Sequence, residues 1–180
     1  DEIIKGRRIS RKDDLNIFLN GDLQKLCEGA DRIRSHFIGQ KVNLCVIING
    51  RSGLCPEDCR YCAQSVHHHT GCEVYDFLSE ETIVNACREN ESEGVDRFSI
   101  VTAGRALTGE EFQKALHAFE TMHNVSRIGL CASMGFLTAE QLHQLHQAGV
   151  TYYHHNIETS KRYFPHICTT HTYEQKIETL

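Results

Sequence analysis

The sequence predicts an α/β fold, the N-terminal part of a (β/α)8 barrel with parallel strands, preceded by N-terminal helices. Short β-branched apolar runs alternate with amphipathic helical segments along residues 41–180. Such alternation is typical of right-handed βαβ crossovers and a parallel sheet. A complete barrel needs about 250 residues, so the first four βα units fit this 180-residue chain. We favour a chain that continues into the rest of the barrel over an open half-barrel covered by another chain.

Residues 1–40 are predicted to form an N-terminal helical segment. Apolar residues recur at three- and four-residue spacing through residues 13–37, which indicates amphipathic helix. Gly21 should divide this pattern into two helices, and Gly39 should end the second.

Residues 41–180 are predicted to form the barrel part, whose first strand is apolar enough to be buried on both faces. Hydroxyl-bearing caps should start the helices: Ser79 the first, and a Thr-x-x-Glu or Thr-x-x-Gln capping box each of the other three. The predicted strands cover residues 42–48, 98–103, 128–132 and 152–157, and the capping boxes begin at Thr108, Thr138 and Thr172.

Charge and cysteine content restrict the class of protein. The net charge of −5 gives no reason to propose nucleic acid or an anionic membrane as a partner. Nine cysteines occur with no signal peptide and no apolar run near 20 residues. They therefore indicate reduced thiols and metal ligands in a reducing compartment, with the cytoplasm as the expected location.

Three cysteines form a compact motif directly after the first predicted strand. Cys55, Cys59 and Cys62 have C-x3-C-x2-C spacing. Three thiolates can ligate three irons of a [4Fe-4S] cluster and leave the fourth iron open for a small molecule. The alternative is a zinc site, which usually has four ligands in paired hooks. No second hook stands at suitable spacing, although the histidine run at 67–69 could supply a donor.

This loop resembles that of the radical S-adenosylmethionine (SAM) enzymes. The resemblance implies that Cys55, Cys59 and Cys62 ligate a [4Fe-4S] cluster. It also implies that the open iron binds the amino and carboxylate groups of SAM. Tyr61, the aromatic residue before the last cysteine, would pack near the adenine.

Polar residues also mark the last predicted strand. In a parallel barrel, functional residues lie at the carboxyl ends of the strands. Strand alternation places His154, Asn156 and Glu158 on one face, with Tyr153 and His155 on the other. An amide and a carboxylate suit a ribose diol or a ureido ring, so we expect this face to line a ligand cavity. The alternative is a buried hydrogen-bond network between layers of the barrel.

The second and third predicted strands carry a comparable interior face. Arg97 and Ser99 share one face of the second strand, and Cys131 points from the third strand to the same interior. A guanidinium facing a barrel interior needs an anionic or cluster partner. Cys131 is either a small packing residue or a ligand.

From about residue 40 to residue 180, the chain resembles the biotin synthase family. The most specific matches are Cys55–Ser65, His155–Ser160 and Thr169–Tyr173. The resemblance implies a complete barrel and a [4Fe-4S] cluster that cleaves SAM to a 5′-deoxyadenosyl radical. That radical would abstract hydrogen from dethiobiotin, and an auxiliary iron–sulfur cluster would supply sulfide to close the ring.

The resemblance also implies roles for individual residues. Asn156 matches a contact to SAM and substrate, and Glu158 an acidic residue on the ribose. Cys131 matches an auxiliary-cluster ligand, and Arg97 an arginine beside that cluster. The expected partners are dethiobiotin and an electron donor such as flavodoxin or ferredoxin, and a homodimer is a further expectation.

Three positions depart from the family pattern. Ser99 stands where the family has another auxiliary-cluster cysteine, His154 replaces an Asn near substrate, and Lys176 replaces an Arg near the SAM carboxylate. Serine is a poor ligand for iron beside thiolates. We therefore expect a different auxiliary cluster, of four-iron type with an extra sulfide, ligated by Cys131. Its other ligands would come from the rest of the barrel, from Cys168 or from Cys72.

The remaining cysteines lie on apolar faces of predicted elements, and we expect them in the core: Cys27, Cys45 and Cys87. The histidine run at 67–69 should belong to a cap over SAM or to the exposed surface.

Two alternatives remain open at the level of the sequence. A sister radical SAM enzyme on the same barrel, such as a hydrogenase maturase or a methylornithine synthase, would share the cysteine loop. An electron-carrying iron–sulfur module or a zinc-structured interaction domain would use the cysteines without binding SAM.

Overall fold

The structure, a computed structural model, describes residues 1–180 and divides into two compact units, Asp1–Val42 and Asn43–Leu180. The first unit contains helices α1 (Asn16–Asn20) and α2 (Leu23–Phe37). None of the helices is long and apolar enough to cross a membrane. The elements of the second unit are β1 (Cys45–Arg51), α3 (Glu80–Ser92), β2 (Arg97–Thr102), α4 (Gly109–Val125), β3 (Gly129–Ser133), α5 (Ala139–Gln147), β4 (Val150–Tyr153), a 3-10 turn (Phe164–His166) and α6 (Tyr173–Thr179).

The two helices of the first unit separate at Gly21, as predicted. The Asp22 carboxylate caps α2 by accepting the Lys25 N–H, a typical way of satisfying a free amide at a helix start. This unit, however, has no buried core. No residue of α2 is buried, and Cys27, predicted to be a core residue, is exposed. The reason is that the unit contains no second layer to cover the apolar face of α2.

Four parallel strands form one sheet in the order β1-β2-β3-β4, which confirms the predicted strand number and orientation. The predicted ends are wrong at both edges. The first strand begins at Cys45 instead of Val42, and the Asp96 carboxylate takes up the N–H of Leu44 just before it. The last strand ends at Tyr153 instead of Ile157, because its neighbour β3 ends at Ser133.

The core lies between one face of the sheet and helices α3, α4 and α5. Fully or nearly fully buried side chains fill it: Ile83, Cys87, Phe98, Ile100, Phe112, Phe119, Met122, Leu130, Ala132 and Leu145. Cys87 therefore lies in the core, as predicted. Cys45 is exposed, because strand alternation directs it to the opposite face of the sheet.

Helix starts follow the sequence at three of four positions. Ser79, Thr138 and Thr172 each accept a backbone N–H from the first turn, and the last two form complete capping boxes. The predicted box at Thr108 does not form. Its acidic member, Glu111, is engaged elsewhere, because its carboxylate pairs with Arg51 at the end of β1 and accepts the Phe77 N–H.

Candidate active site

The cysteine loop begins where β1 ends and is held by its own backbone. Cys55 donates its N–H to the Gln64 carbonyl, and Cys62 donates its N–H to the Cys59 carbonyl at 3.0 Å. The Gln64 amide oxygen accepts the Gly53 N–H at 2.9 Å. Leu54 has a φ of 52°, a left-handed conformation that costs free energy in a non-glycine residue and is often found at functional sites.

A cavity of about 250 Å³ opens beside this loop. Its lining includes Thr102, Ala103 and Ser133 at the carboxyl ends of β2 and β3, the edge at which a parallel barrel places its functional residues. The remaining candidate residues in its lining come from the cysteine loop and from the chain after β4: Cys55, Cys59, Tyr61, Cys62, His155, Asn156, Glu158, His171 and Lys176.

The segment after β4 meets the cavity differently from the sequence prediction. Asn156 and Glu158 line it as expected, but His154 is exposed and His155 lines it instead. The predicted alternation ends because β4 stops at Tyr153. Glu158 has a φ of 70°, so the backbone turns sharply at this residue. His154 therefore lies outside the lining of this cavity, and its role as a substrate contact stays a prediction.

Tyr61 and Glu158 lie close to each other in the lining of the cavity. Burial raises the pKa of the Tyr61 hydroxyl, and the nearby Cys59 thiol and Glu158 carboxylate raise it further. The phenol therefore stays protonated, and the Tyr61 side chain is half exposed.

Lys176 is a buried cation in the lining. It is only 9 % exposed, and its ammonium lies 5.4 Å from the centre of the Phe136 ring. No carboxylate of the described chain, residues 1–180, pairs with it within ion-pair distance. A buried ammonium without a carboxylate partner favours an anionic ligand.

Two histidines add buried, unpartnered ring nitrogens to the same cavity. The Nε2 atoms of His155 and His171 are buried and have no hydrogen-bond partner. Burial lowers the pKa of His155 to about 4, with the positive charge of Lys176 adding to the effect. His155 is therefore neutral at pH 7. Unpartnered buried nitrogens of this kind are expected where a polar ligand completes the site.

The two acids of the loop fasten it to the chain just before α6. Glu57 is 6 % exposed and accepts the Thr170 hydroxyl at 2.6 Å, while Arg105 pairs with it at 3.1 Å and the His171 ring contacts it. Burial opposes ionisation, yet the hydrogen bonds from Thr170, His171 and Arg105 lower the pKa of Glu57.

Asp58 fastens the same segment through neighbouring groups. Its carboxylate accepts the Thr169 hydroxyl and N–H, and these hydrogen bonds lower its pKa. This contact between two distant segments could not be predicted from the sequence. The only available signal was that both of them fall in stretches that resemble one family.

Cys168 lies in this contact as well. Its Sγ is 3.8 Å from Cys59 Sγ and 3.2 Å from His171 Nδ1. Burial raises the pKa of the Cys59 thiol to about 12, and the adjacent Cys168 adds to the shift. Cys168 therefore contacts the cysteine loop, whereas the sequence analysis offered it as one of several possible auxiliary-cluster ligands. The other candidate auxiliary-cluster ligand named with it, Cys72, is half-buried in the segment that follows the loop.

The sheet face opposite the helical core brings together Arg97, Cys131 and an unexpected thiol. Strand register pairs Cys45 with Arg97, and Ser99 with Cys131. Burial raises the pKa of Cys131, with the nearby Cys45 thiol adding to this and Arg97 opposing it. The Arg97 guanidinium stacks 4.1 Å from the centre of the Tyr152 ring. The sequence analysis predicted that Cys45 lies in the core. That prediction was wrong because the neighbours of Cys45 are set by the strand register, which the sequence does not show.

The residues present fit a [4Fe-4S] cluster with SAM at its open iron. Three free thiols with the predicted spacing line one cavity, and an unpaired buried cation and two unpartnered ring nitrogens line the same space. A second grouping competes for one of these thiols. Ligand atoms of Cys59, Cys168 and His171 lie within 4.8 Å of one another, close enough to hold a single metal ion.

The cysteine loop and the parallel sheet define a class of protein, and the chain belongs to it: residues 49–180 match the family model of the radical SAM superfamily. The cofactors of that class are a [4Fe-4S] cluster and SAM. Among curated relatives, the biotin synthase of Clostridium beijerinckii is 56% identical over 178 residues, which are 99% of this chain and 56% of that protein. The biotin synthase of Alkaliphilus metalliredigens is 53% identical over 179 residues, again 99% of this chain and 56% of the relative.

Solved structures support the fold. Methylornithine synthase (PylB) matches with a TM-score of 0.82 at 15% identity, covering 99% of this chain and 53% of that one. The FeFe-hydrogenase maturase HydG from Carboxydothermus hydrogenoformans matches with a TM-score of 0.73 at 19% identity, covering 99% and 45%. These structural matches confirm the predicted fold class. The curated relatives confirm the resemblance to the biotin synthase family. The chain spans about half the length, 56%, of the curated relatives it matches.

Proposed function

We propose that the protein containing this chain is a biotin synthase, which inserts sulfur into dethiobiotin by radical chemistry. One observation carries the proposal: the three loop thiols, Asn156, Glu158 and the unpaired Lys176 surround one cavity in a chain 56% identical to a named biotin synthase. The remaining barrel strands would complete the substrate site. The division into a helical segment, 1–40, and a barrel part, 41–180, stays part of this proposal.

The loop residues hold and orient the cofactors. Cys55, Cys59 and Cys62 would ligate three irons of the [4Fe-4S] cluster. When bound there, the cluster would supply the reducing electron for cleavage of SAM, which is the chemistry needed to activate dethiobiotin. The hydrogen bonds that Glu57 and Asp58 accept from the Thr169–His171 segment hold the cysteine loop against the chain just before α6.

The cavity residues that follow β4 in the chain would bind the polar parts of SAM. Lys176 supplies the charge that a buried carboxylate needs, although an ammonium lacks the bidentate geometry of arginine. Glu158 can accept hydrogen bonds from a ribose diol, and the half-exposed Tyr61 ring is free to pack on an adenine. Asn156 offers both a donor and an acceptor to SAM or substrate. The neutral His155 ring, whose Nε2 atom has no hydrogen-bond partner, would contact substrate where His154 was expected.

The auxiliary cluster would lie on the sheet face that carries Arg97 and Cys131. Ser99 cannot replace a thiolate well, but Cys45 adds a second thiol to this face through its register with Arg97. We therefore assign Cys45 and Cys131 as ligands, with the others supplied by the rest of the barrel. A four-iron auxiliary cluster remains our expectation, and a two-iron Mössbauer signature would contradict it.

Anaerobic turnover of the full-length protein tests the activity. Incubation with dethiobiotin, SAM and a reductant should give both biotin and 5′-deoxyadenosine. The structural likeness to methylornithine synthase and HydG keeps a sister radical SAM enzyme as the second candidate. Formation of 5′-deoxyadenosine without biotin would favour that candidate.

The remaining partners are proposals of the same kind. Flavodoxin or ferredoxin would deliver the electron, and the protein would work in a reducing compartment, since all nine cysteines are free. A homodimer would be detected by light scattering of the full-length protein.

A further inference from the structure

Cys168 is a buried nucleophile for which the proposed reaction has no use. It is 3 % exposed, and its neighbour His171 is 5 % exposed. Its thiol contacts three groups besides Cys59: Asp58 Oδ1 at 3.2 Å, Thr170 Oγ1 at 3.4 Å and His171 Nδ1 at 3.2 Å. A buried thiol beside a second thiol and an imidazole is a set of donors that soft divalent cations prefer.

The spacing of the two sulfurs fits one metal ion. Two thiolates bound at about 2.3 Å to one tetrahedral ion lie about 3.8 Å apart. Cys59 Sγ and Cys168 Sγ are 3.8 Å apart, and a ligand atom of His171 lies within 4.8 Å of both. Two ligands of one cubane bind different irons, so their sulfurs would lie farther apart. Cys168 is therefore badly placed to fill the open corner of the cluster.

We propose that the cluster-free protein binds a single divalent cation of the zinc class through Cys59, Cys168 and His171. Both thiols release their protons to solvent on binding, and His171 binds as the neutral imidazole. Binding through Nδ1 replaces the contact of this atom with Glu57 Oε2. Glu57 Oε2, which lies against this nitrogen, can then take the fourth position of a tetrahedral site while Glu57 Oε1 keeps its pairing with Arg105.

The consequence is that this ion and the cluster exclude each other. Both need Cys59, whereas Cys55 and Cys62 serve the cluster alone and Cys168 serves the single ion alone. An ion at this site holds Cys59 as a metal-bound thiolate before cluster assembly. Excess zinc should accordingly slow cluster reconstitution by occupying one of the three loop ligands. This inference does not depend on which substrate the enzyme uses.

Cobalt titration of cluster-free, anaerobic full-length protein tests the site. One equivalent of Co²⁺ should give thiolate-to-cobalt absorption in the near ultraviolet and the visible bands of tetrahedral cobalt, and Zn²⁺ should remove both. Cys168→Ser should weaken Co²⁺ binding by at least about tenfold while the variant still reconstitutes its loop cluster. Cys62→Ser should keep Co²⁺ binding but fail to reconstitute the loop cluster. Cys59→Ser should lose both Co²⁺ binding and cluster reconstitution. Cys27→Ser, an exposed cysteine of the other unit, is the matched control.

Two results would overturn the proposal. One is unchanged cobalt binding and absorption in Cys168→Ser, which leaves Cys168 as a packing thiol hydrogen-bonded to Asp58. The other is loss of the cobalt absorption in Cys62→Ser, which assigns the ion to the three loop cysteines. Normal cluster reconstitution in Cys168→Ser shows that the variant is folded, and Cys168→Ala repeats the test without a hydroxyl.

Discussion

At the scale of single residues, the site is distinguished by buried polar groups that lack protein partners. Lys176 is buried without a carboxylate, and the Nε2 atoms of His155 and His171 are buried without hydrogen bonds. Such groups cost free energy in a finished core and are tolerated where a ligand completes them. These groups line the same cavity as the loop thiols.

Lys176→Met should weaken SAM binding by about 10- to 100-fold, because a charge-assisted hydrogen bond is worth about 1.5–3 kcal/mol. Equilibrium binding of SAM to the reconstituted protein measures the effect, and iron content should not change. Lys176→Arg should retain most of the affinity. Lys161→Met removes an exposed cation that pairs with Glu174 and is the control. Equal affinities of Lys176→Met and wild type would exclude the assigned role.

The ionisation of Glu57 makes a second prediction at this scale. Its folded-state pKa is lowered, so its stabilisation is present above the ordinary carboxyl pKa of about 4.3 and is lost as pH falls through the folded value. The free energy of unfolding in urea should therefore fall as the pH is lowered below about 4.3. Glu57→Gln should lower stability at pH 7 by about 3–5 kcal/mol and flatten this dependence. A variant with the acid profile of the wild type would contradict the assignment.

At the scale of elements, strand register decides which residues meet. Local periodicity in the sequence was enough to predict four parallel strands and the caps at Thr138 and Thr172. It could not predict that β4 would end at Tyr153, because that depends on where β3 ends. The exchange of His154 for His155 in the cavity follows from the same cause, and the position of Cys45 beside Arg97 likewise requires knowledge of the register.

Moving a proposed auxiliary-cluster ligand from β1 to β2 tests whether strand register sets the ligands. This prediction rests on the proposed function. Cys45→Ser should lower auxiliary-cluster iron and sulfide severalfold while leaving the loop cluster and its SAM cleavage intact. Adding Ser99→Cys to this variant should restore iron, since both positions lie on one face. Iron and sulfide analysis with Mössbauer spectroscopy gives the readout. Normal auxiliary iron in Cys45→Ser would show that Cys45 is not a ligand.

At the scale of the whole molecule, two distant segments hold one site together. The Glu57–Asp58 pair of the cysteine loop and the Thr169–His171 segment before α6 are joined by side-chain hydrogen bonds. These hydrogen bonds between segments far apart in the chain form only in the folded protein. The sequence therefore pointed to each segment separately but not to the contact between them. The fold and the cysteine loop were predictable from local patterns. The hydrogen bonds between Glu57–Asp58 and the Thr169–His171 segment, and the Cys59–Cys168 contact, were not.

Electron paramagnetic resonance of the reduced, reconstituted full-length protein is the most direct test of the open iron. Adding SAM should change the spectrum of the reduced [4Fe-4S] cluster in the wild type and equally in Cys168→Ser, because Cys168 leaves the open corner free. A spectrum that SAM leaves unchanged, or metal analysis showing one tetrahedral zinc in place of the cubane, would contradict the account.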